Sequence, residues 1–126
     1  MKIFLIDDSP SAIALMSMFL KCDPELQIVT FQDAAKALQS LSVDQPDLIV
    51  CDIRMPNMDG MEFTKLVRQR PEWNGVRIVA VTALAMESDR KRALEAGFDG
   101  YFTKPIDPYL FVEKLKEFAK KGVGNG

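Results

Sequence analysis

Five polar side chains stand where apolar runs stop. Asp7 and Asp8 follow the run ending at Ile6, Asp52 follows Leu48 to Cys51, Thr82 follows Ile78 to Val81, and Lys104 follows a short run ending at Thr103. A carboxylate at the end of a strand is how an open α/β sheet presents a reactive group, and Asp52 reads as a nucleophile. Carboxylates attack phosphorus competently, and phosphoryl transfer asks chiefly for charge neutralisation and in-line positioning. The acids need neutralising in any case. Two carboxylates about 5 Å apart repel by roughly 3 kcal/mol at an effective dielectric of about 20. A small domain has only about 5–15 kcal/mol of stability in total. Lys104 offsets part of the repulsion, and an oxygen-only site with waters and a phosphoryl group suits Mg²⁺ for the rest. The Thr82 hydroxyl would donate a hydrogen bond to a phosphoryl oxygen. Asp7 or Asp8 can also cap the helix that begins near Ser9, but capping leaves Asp52 and Lys104 unexplained.

These groups converge only if the strands carrying them lie parallel in one sheet. Lys2 to Ile6 reads as a buried strand, and Ser9-Pro10 opens a helix with Ala12, Ile13, Leu15, Met16, Phe19 and Leu20 on its apolar face. Leu26 to Phe31 is a second strand, Ala34 to Leu41 a short helix behind Asp33, and Asp47 to Cys51 a third strand. The helix after Gly60 places Met61, Phe63, Leu66 and Val67 inward and stops near Pro71; Trp73 covers a core edge. Val76 to Val81 is the fourth strand. Glu87 to Ala96 is a helix whose outer face carries Asp89, Arg90, Lys91 and Arg92, stopped by Gly97. Gly100 to Thr103 is the fifth strand. Asp107-Pro108 opens a last helix with Leu110, Phe111, Leu115 and Phe118 inward, ended by Gly122. Five strands alternating with five helices require crossover connections, hence a doubly wound parallel sheet with helices on both faces. All five polar groups then share its carboxyl edge.

The totals are permissive. A chain of 126 residues with 48% hydrophobic and 27% charged content is one ordinary globular domain. We divide it into residues 1–121 as the domain and 122–126 as a flexible tail. A net charge of −2 with dispersed Lys and Arg argues against direct nucleic-acid binding. No membrane-length apolar run or signal peptide is present. Cys22 and Cys51 read as reduced thiols, which places the chain in a cytoplasm. The absence of histidine removes imidazole metal sites and Ser-His triads together.

Asp7-Asp8, Asp52 with Met55-Pro56-Asn57-Met58-Asp59-Gly60 behind it, Thr82-Ala83 and Lys104-Pro105 together resemble the receiver domain of two-component response regulators, the CheY-like family. The match runs from Met1 to about Lys120. The resemblance implies a flavodoxin-like sheet of order 2-1-3-4-5. It implies that Asp52 accepts a phosphoryl group from a histidine kinase or histidine phosphotransfer protein. It also implies Mg²⁺ held by Asp7 or Asp8, Asp52 and the main-chain carbonyl of Arg54, a Thr82–Tyr101 switch pair, and a cis Lys104-Pro105 bond. Arg54 and Leu84 occupy the positions that flank the attacking water in receivers. Neither orients a water, so a slowly decaying phosphate is expected.

The C-terminal third resembles phosphorelay and hybrid-kinase receivers more than those fused to DNA-binding domains; Gly100 replaces an acid that the latter use in dimer contacts. The expectation is a stand-alone regulator, a monomer or weak phosphorylation-dependent dimer. It would signal to a downstream protein through the fourth helix, fifth strand and fifth helix, around Arg90, Lys91, Tyr101 and Lys120. The alternative is a receiver cut from a longer regulator or hybrid kinase. A Mg²⁺-dependent aspartyl phosphatase is disfavoured because Ile53-Arg54, not a second acid, follows Asp52; no enzymatic turnover beyond self-catalysed transfer and dephosphorylation is expected.

Overall fold

A computed structural model describes residues 1–124, with side chains as far as Lys120. In chain order it contains β1 (Lys2–Ile6), α1 (Pro10–Lys21), β2 (Gln27–Phe31), α2 (Ala34–Leu41) and β3 (Leu48–Cys51). Then follow α3 (Gly60–Arg68), a 3₁₀ turn (Pro71–Trp73), β4 (Arg77–Thr82), α4 (Glu87–Ala96), β5 (Gly100–Thr103) and α5 (Pro108–Gly124). The five strands pair in parallel in the order β2-β1-β3-β4-β5, the flavodoxin-like arrangement.

Alternation along the strands explains why both faces are covered. Phe4, Ile6, Ile49, Cys51, Ile78 and Ala80 pack against α2, α3 and α4 through Ala37, Phe63, Val67 and Ala93. Their neighbours Ile3, Leu5, Leu48, Val50, Val79 and Val81 pack against α1 and α5 through Met16, Leu20, Phe111 and Leu115. Strand side chains alternate between faces, so a strand apolar at every position needs helices on both sides.

Local signals set the helix ends. Ser9 Oγ accepts the Ala12 amide ahead of Pro10, Asp33 Oδ1 accepts the Ala35 amide, and Asp59 Oδ1 accepts the Glu62 amide. Gly97 ends α4 with φ of 116°, a left-handed cap that a side chain resists. α5 runs to Gly124, past the stop expected at Gly122, because glycine weakens a helix by about 1 kcal/mol without forbidding it. The last two residues of the expected tail, 125 and 126, lie outside the described residues.

Three leucines assigned inward turn outward: Leu15 is 51% exposed, Leu66 37% and Leu110 57%. Each immediately precedes a buried residue (Met16, Val67, Phe111), and one residue turns a helix by about 100°. In each pair the second residue lies on the stripe that the sheet covers, and the leucine before it falls outside. Asp89 is displaced the other way. It was grouped with the outer charges of α4, yet it is buried, in line with Ala93 and Ala96 at helical spacing.

Candidate functional site

Register puts the acids together. Ile6 of β1 pairs with Cys51 of β3, so Asp7 and Asp52 are the next residues on adjacent strands. The Asp52 amide continues the ladder to the Ile6 carbonyl at 3.0 Å, and the Asp7 amide reaches the Phe31 carbonyl at 3.1 Å. Asp8 joins them: one carboxylate oxygen from each of Asp7, Asp8 and Asp52 lies within 4.8 Å of the other two. On the other flank the Lys104 amide bonds the Thr82 carbonyl at 2.8 Å. Its ammonium then reaches across two strands to Asp7 Oδ2 at 3.1 Å and Asp52 Oδ2 at 3.2 Å. The Lys104-Pro105 bond is cis.

The three acids are not equivalent. Asp7 is fully buried, and its Oδ1 accepts the Ser9 amide at 2.9 Å. Burial holds its carboxyl above the usual carboxylate range, against the pull of the Ser9 amide and Lys104 and with further push from Asp52. Asp52 is partly exposed, its Oδ1 taking the Arg54 amide at 3.3 Å. Asp8 is exposed, and its carboxylate has no hydrogen bond or ion pair among the described residues. Burial alone would lower the Lys104 pKa, but Asp52 and Asp7 outweigh it and the ammonium is held above its ordinary value.

This donor set fits a hard divalent cation. Around an octahedral ion at about 2.0–2.1 Å, oxygens stand ~2.9 Å apart when adjacent and ~4.1 Å apart when opposite. The three carboxylates need to draw in only slightly, and no nitrogen or sulfur ligand competes.

The loop behind Asp52 is fixed by close packing. Asn57 takes a positive φ of 69°, and the Gly60 amide bonds the Ile53 carbonyl at 2.8 Å. A Cβ on Gly60 would lie 2.3 Å from the Asp52 carbonyl oxygen. Only glycine lets the start of α3 sit against the Asp52 backbone.

Thr82 and Tyr101 meet at the backbone of one residue, Leu84. The buried Thr82 Oγ1 accepts the Leu84 amide at 3.3 Å, and the Tyr101 hydroxyl donates to the Leu84 carbonyl at 2.6 Å. Tyr101 is partly buried; burial raises its pKa and the nearby Asp89 adds to the rise. Of the two flanking residues, Arg54 is exposed and Leu84 partly buried. Sequence reasoning missed Asp89, although its i, i+4, i+7 spacing with Ala93 and Ala96 was visible. It also missed Asp99, which binds Arg68 at 2.8 Å and Arg77 at 3.3 Å; no local pattern announces such a long-range junction.

The response regulator receiver domain profile matches residues 3–116. The chain belongs to that family. It is 39% identical over 120 residues to an uncharacterized 14.6 kDa protein from the sodA1 3′ region of Leptolyngbya boryana, covering 94% of this chain and 90% of that one. It is 32% identical to the sensor histidine kinase GacS of Pseudomonas protegens, covering 98% of this chain but only 14% of GacS. A CheY-like receiver structure from Methanospirillum hungatei matches with a TM-score of 0.87 and 25% identity, covering 99% of this chain and 98% of that one. Among the described residues, no helix is long and apolar enough to cross a membrane.

Proposed function

We propose that this receiver accepts a phosphoryl group on Asp52 from a phosphohistidine of a kinase or phosphotransfer protein in the cytoplasm. The observation that carries this reading is the Lys104 ammonium bridging Asp7 and Asp52 at 3.1 and 3.2 Å while Asp8 leaves a carboxylate free beside them. An Asp52 carboxylate oxygen attacks phosphorus, the P–N bond to the donor imidazole breaks with its electron pair going to nitrogen, and an aspartyl phosphate forms. Lys104 shifts toward the new phosphoryl oxygens, and Thr82, whose proton is not needed for its contact with Leu84, donates to another. Mg²⁺, held by Asp7, Asp8, Asp52 and the Arg54 carbonyl, would neutralise the remaining charge.

An apolar cleft borders the site on the α1 side, lined by Ala12, Leu15, Phe19, Pro105 and Ile106 together with Lys104. With the exposed Leu15 and Met18, it gives the donor protein a surface from which its histidine reaches Asp52. A larger cleft of about 860 Å³ between α1 and α5 contains none of the five strand-end residues.

Phosphorylation adds roughly −1.5 to −2 charge. Drawing Thr82 toward it releases the Leu84 amide from a residue whose carbonyl Tyr101 holds, and so couples Asp52 to α4, β5 and α5, where Arg90, Lys91 and Lys120 are exposed. The downstream partner is a protein. Arg54 and Leu84 cannot activate a water, so the phosphate decays slowly. Changing them to Asn and Glu should speed decay, and an unchanged rate would refute this part.

The chain matches 90% of the Leptolyngbya protein and 14% of GacS, so its relatives include both a short protein and a small segment of a much longer kinase. Phosphotransfer profiling against the host's histidine kinases tests the central reading. Rapid labelling by a cognate kinase, lost in Asp52→Ala, is expected; labelling that survives the substitution overturns it.

A further inference from the structure

The β3–α3 loop, the start of α3, the loop after β4 and the middle of α4 line a second cleft, of about 530 Å³, which does not contain Asp7, Asp8 or Asp52. Its floor is apolar: Ile53 is buried, and Met55, Met61 and Leu84 are partly buried. Four of the chain's seven methionines (Met55, Met58, Met61 and Met86) lie on the segments around it. Unbranched thioether side chains repack around different apolar groups at little cost, which suits a floor that receives a side chain from outside. Two arginines line the same cleft. Arg54 is exposed and makes no ion pair among the described residues. The Arg92 side chain is 65% exposed and pairs with Asp89, three residues back, at 2.9 Å. The acid that lines the cleft, Asp59, is already committed to the Glu62 amide.

We infer that this cleft docks a partner protein segment in which an aromatic or branched aliphatic side chain is flanked by carboxylates. The apolar side chain fills the methionine floor, and Arg54 and Arg92 pair with the flanking acids, where guanidinium forks hold carboxylates in two-bond geometry. A basic segment meets Arg54, which no acid among the described residues pairs, and Arg92, whose carboxylate partner Asp89 is already engaged. A bare phosphate backbone leaves the apolar floor unfilled. One wall, Leu84, is gripped on both sides of its backbone by Thr82 and Tyr101, so the shape of the cleft is tied to these two hydroxyls.

The test is titration of the full chain, labelled with ¹³C at its methionine methyls, with a synthetic decapeptide alternating glutamate with leucine and phenylalanine. Unphosphorylated protein in metal-free buffer is used, so a failure here leaves the phosphoacceptor reading untouched. Shifts centred on Met55 and Met61, with Met16 and Met18 unmoved, are expected. The affinity should fall at least tenfold in Arg54→Ala/Arg92→Ala, hold in Arg90→Ala, and vanish for a peptide with lysine in place of glutamate. Shifts centred elsewhere, no shifts at millimolar peptide, equal binding by the lysine peptide, or equal losses from Arg90→Ala each overturn the inference. The two arginines are exposed, and the methionine spectrum itself reports whether each variant is folded.

Discussion

The two ends of the sheet treat charge in opposite ways. At the amino edge of β4 and β5, one acid meets two arginines. Asp99 takes Arg68 at 2.8 Å, Arg77 at 3.3 Å and the Ile78 amide at 2.8 Å, while Arg68 also donates to the Gly97 and Val76 carbonyls. At the carboxyl edge, three acids share one lysine: three negative charges against one positive leave −2, and Asp8 has nothing bound. The first cluster is closed and ties α3 to the last two strands. The second carries an excess of negative charge among the described residues. Burial of charge serves stability only where the partners are already present.

Breaking the closed cluster should hurt most. Asp99→Ala removes the carboxylate that Arg68, Arg77 and the Ile78 amide share, and about 3 kcal/mol of stability should be lost in urea unfolding. Gly60→Ala should cost about 1–3 kcal/mol, the range for forcing extra atoms into a packed site. It should also impair phosphoryl acceptance, since the clash falls on the Asp52 backbone.

The open cluster should respond with the other sign. Asp7→Asn removes a buried charge and should stabilise the metal-free protein by about 1 kcal/mol. The pH dependence follows from the raised Asp7 pKa. The folded state binds this proton more tightly than the unfolded chain, so the contribution is present below the unfolded value of about 3.9 and is lost as pH rises through the folded pKa. The advantage of Asp7→Asn over wild type should therefore grow as pH rises from about 4 through the range just above the ordinary carboxylate value. A flat difference would contradict this. The smallest effect should come from metal. Mg²⁺ at about three times its dissociation constant should stabilise wild type by about 0.8 kcal/mol, with little gain in Asp7→Asn and no greater response in Asp99→Ala than in wild type.

The carboxyl edge was the more legible of the two ends. Asp7, Asp52, Thr82 and Lys104 each close an apolar run, and a parallel sheet collects run ends without further information. The amino-edge cluster joins a helix to two strands across about thirty residues, and nothing local marks it. Helix existence was legible because caps and glycines are local; helix orientation was less so. Leu15, Leu66 and Leu110 were assigned by hydrophobicity, whereas the buried stripe depends on which neighbours the sheet presents. Asp89 shows the converse, a charged residue drawn inward because its position lies on that stripe. Gly100 was read as lacking an acid used by other receivers, but in the fold its place is set by Phe118: a Cβ there would lie 2.4 Å from the ring.

On the function proposed above, the open cluster receives a phosphoryl group at Asp52. The most direct measurement is to phosphorylate the chain with phosphoramidate and Mg²⁺, trap the acyl phosphate by borohydride reduction, and map the modified residue by peptide mass spectrometry. Modification at Asp52, abolished by EDTA, is the expected result. Modification at Asp7 or Asp8, or none in protein shown to be folded, would contradict the account.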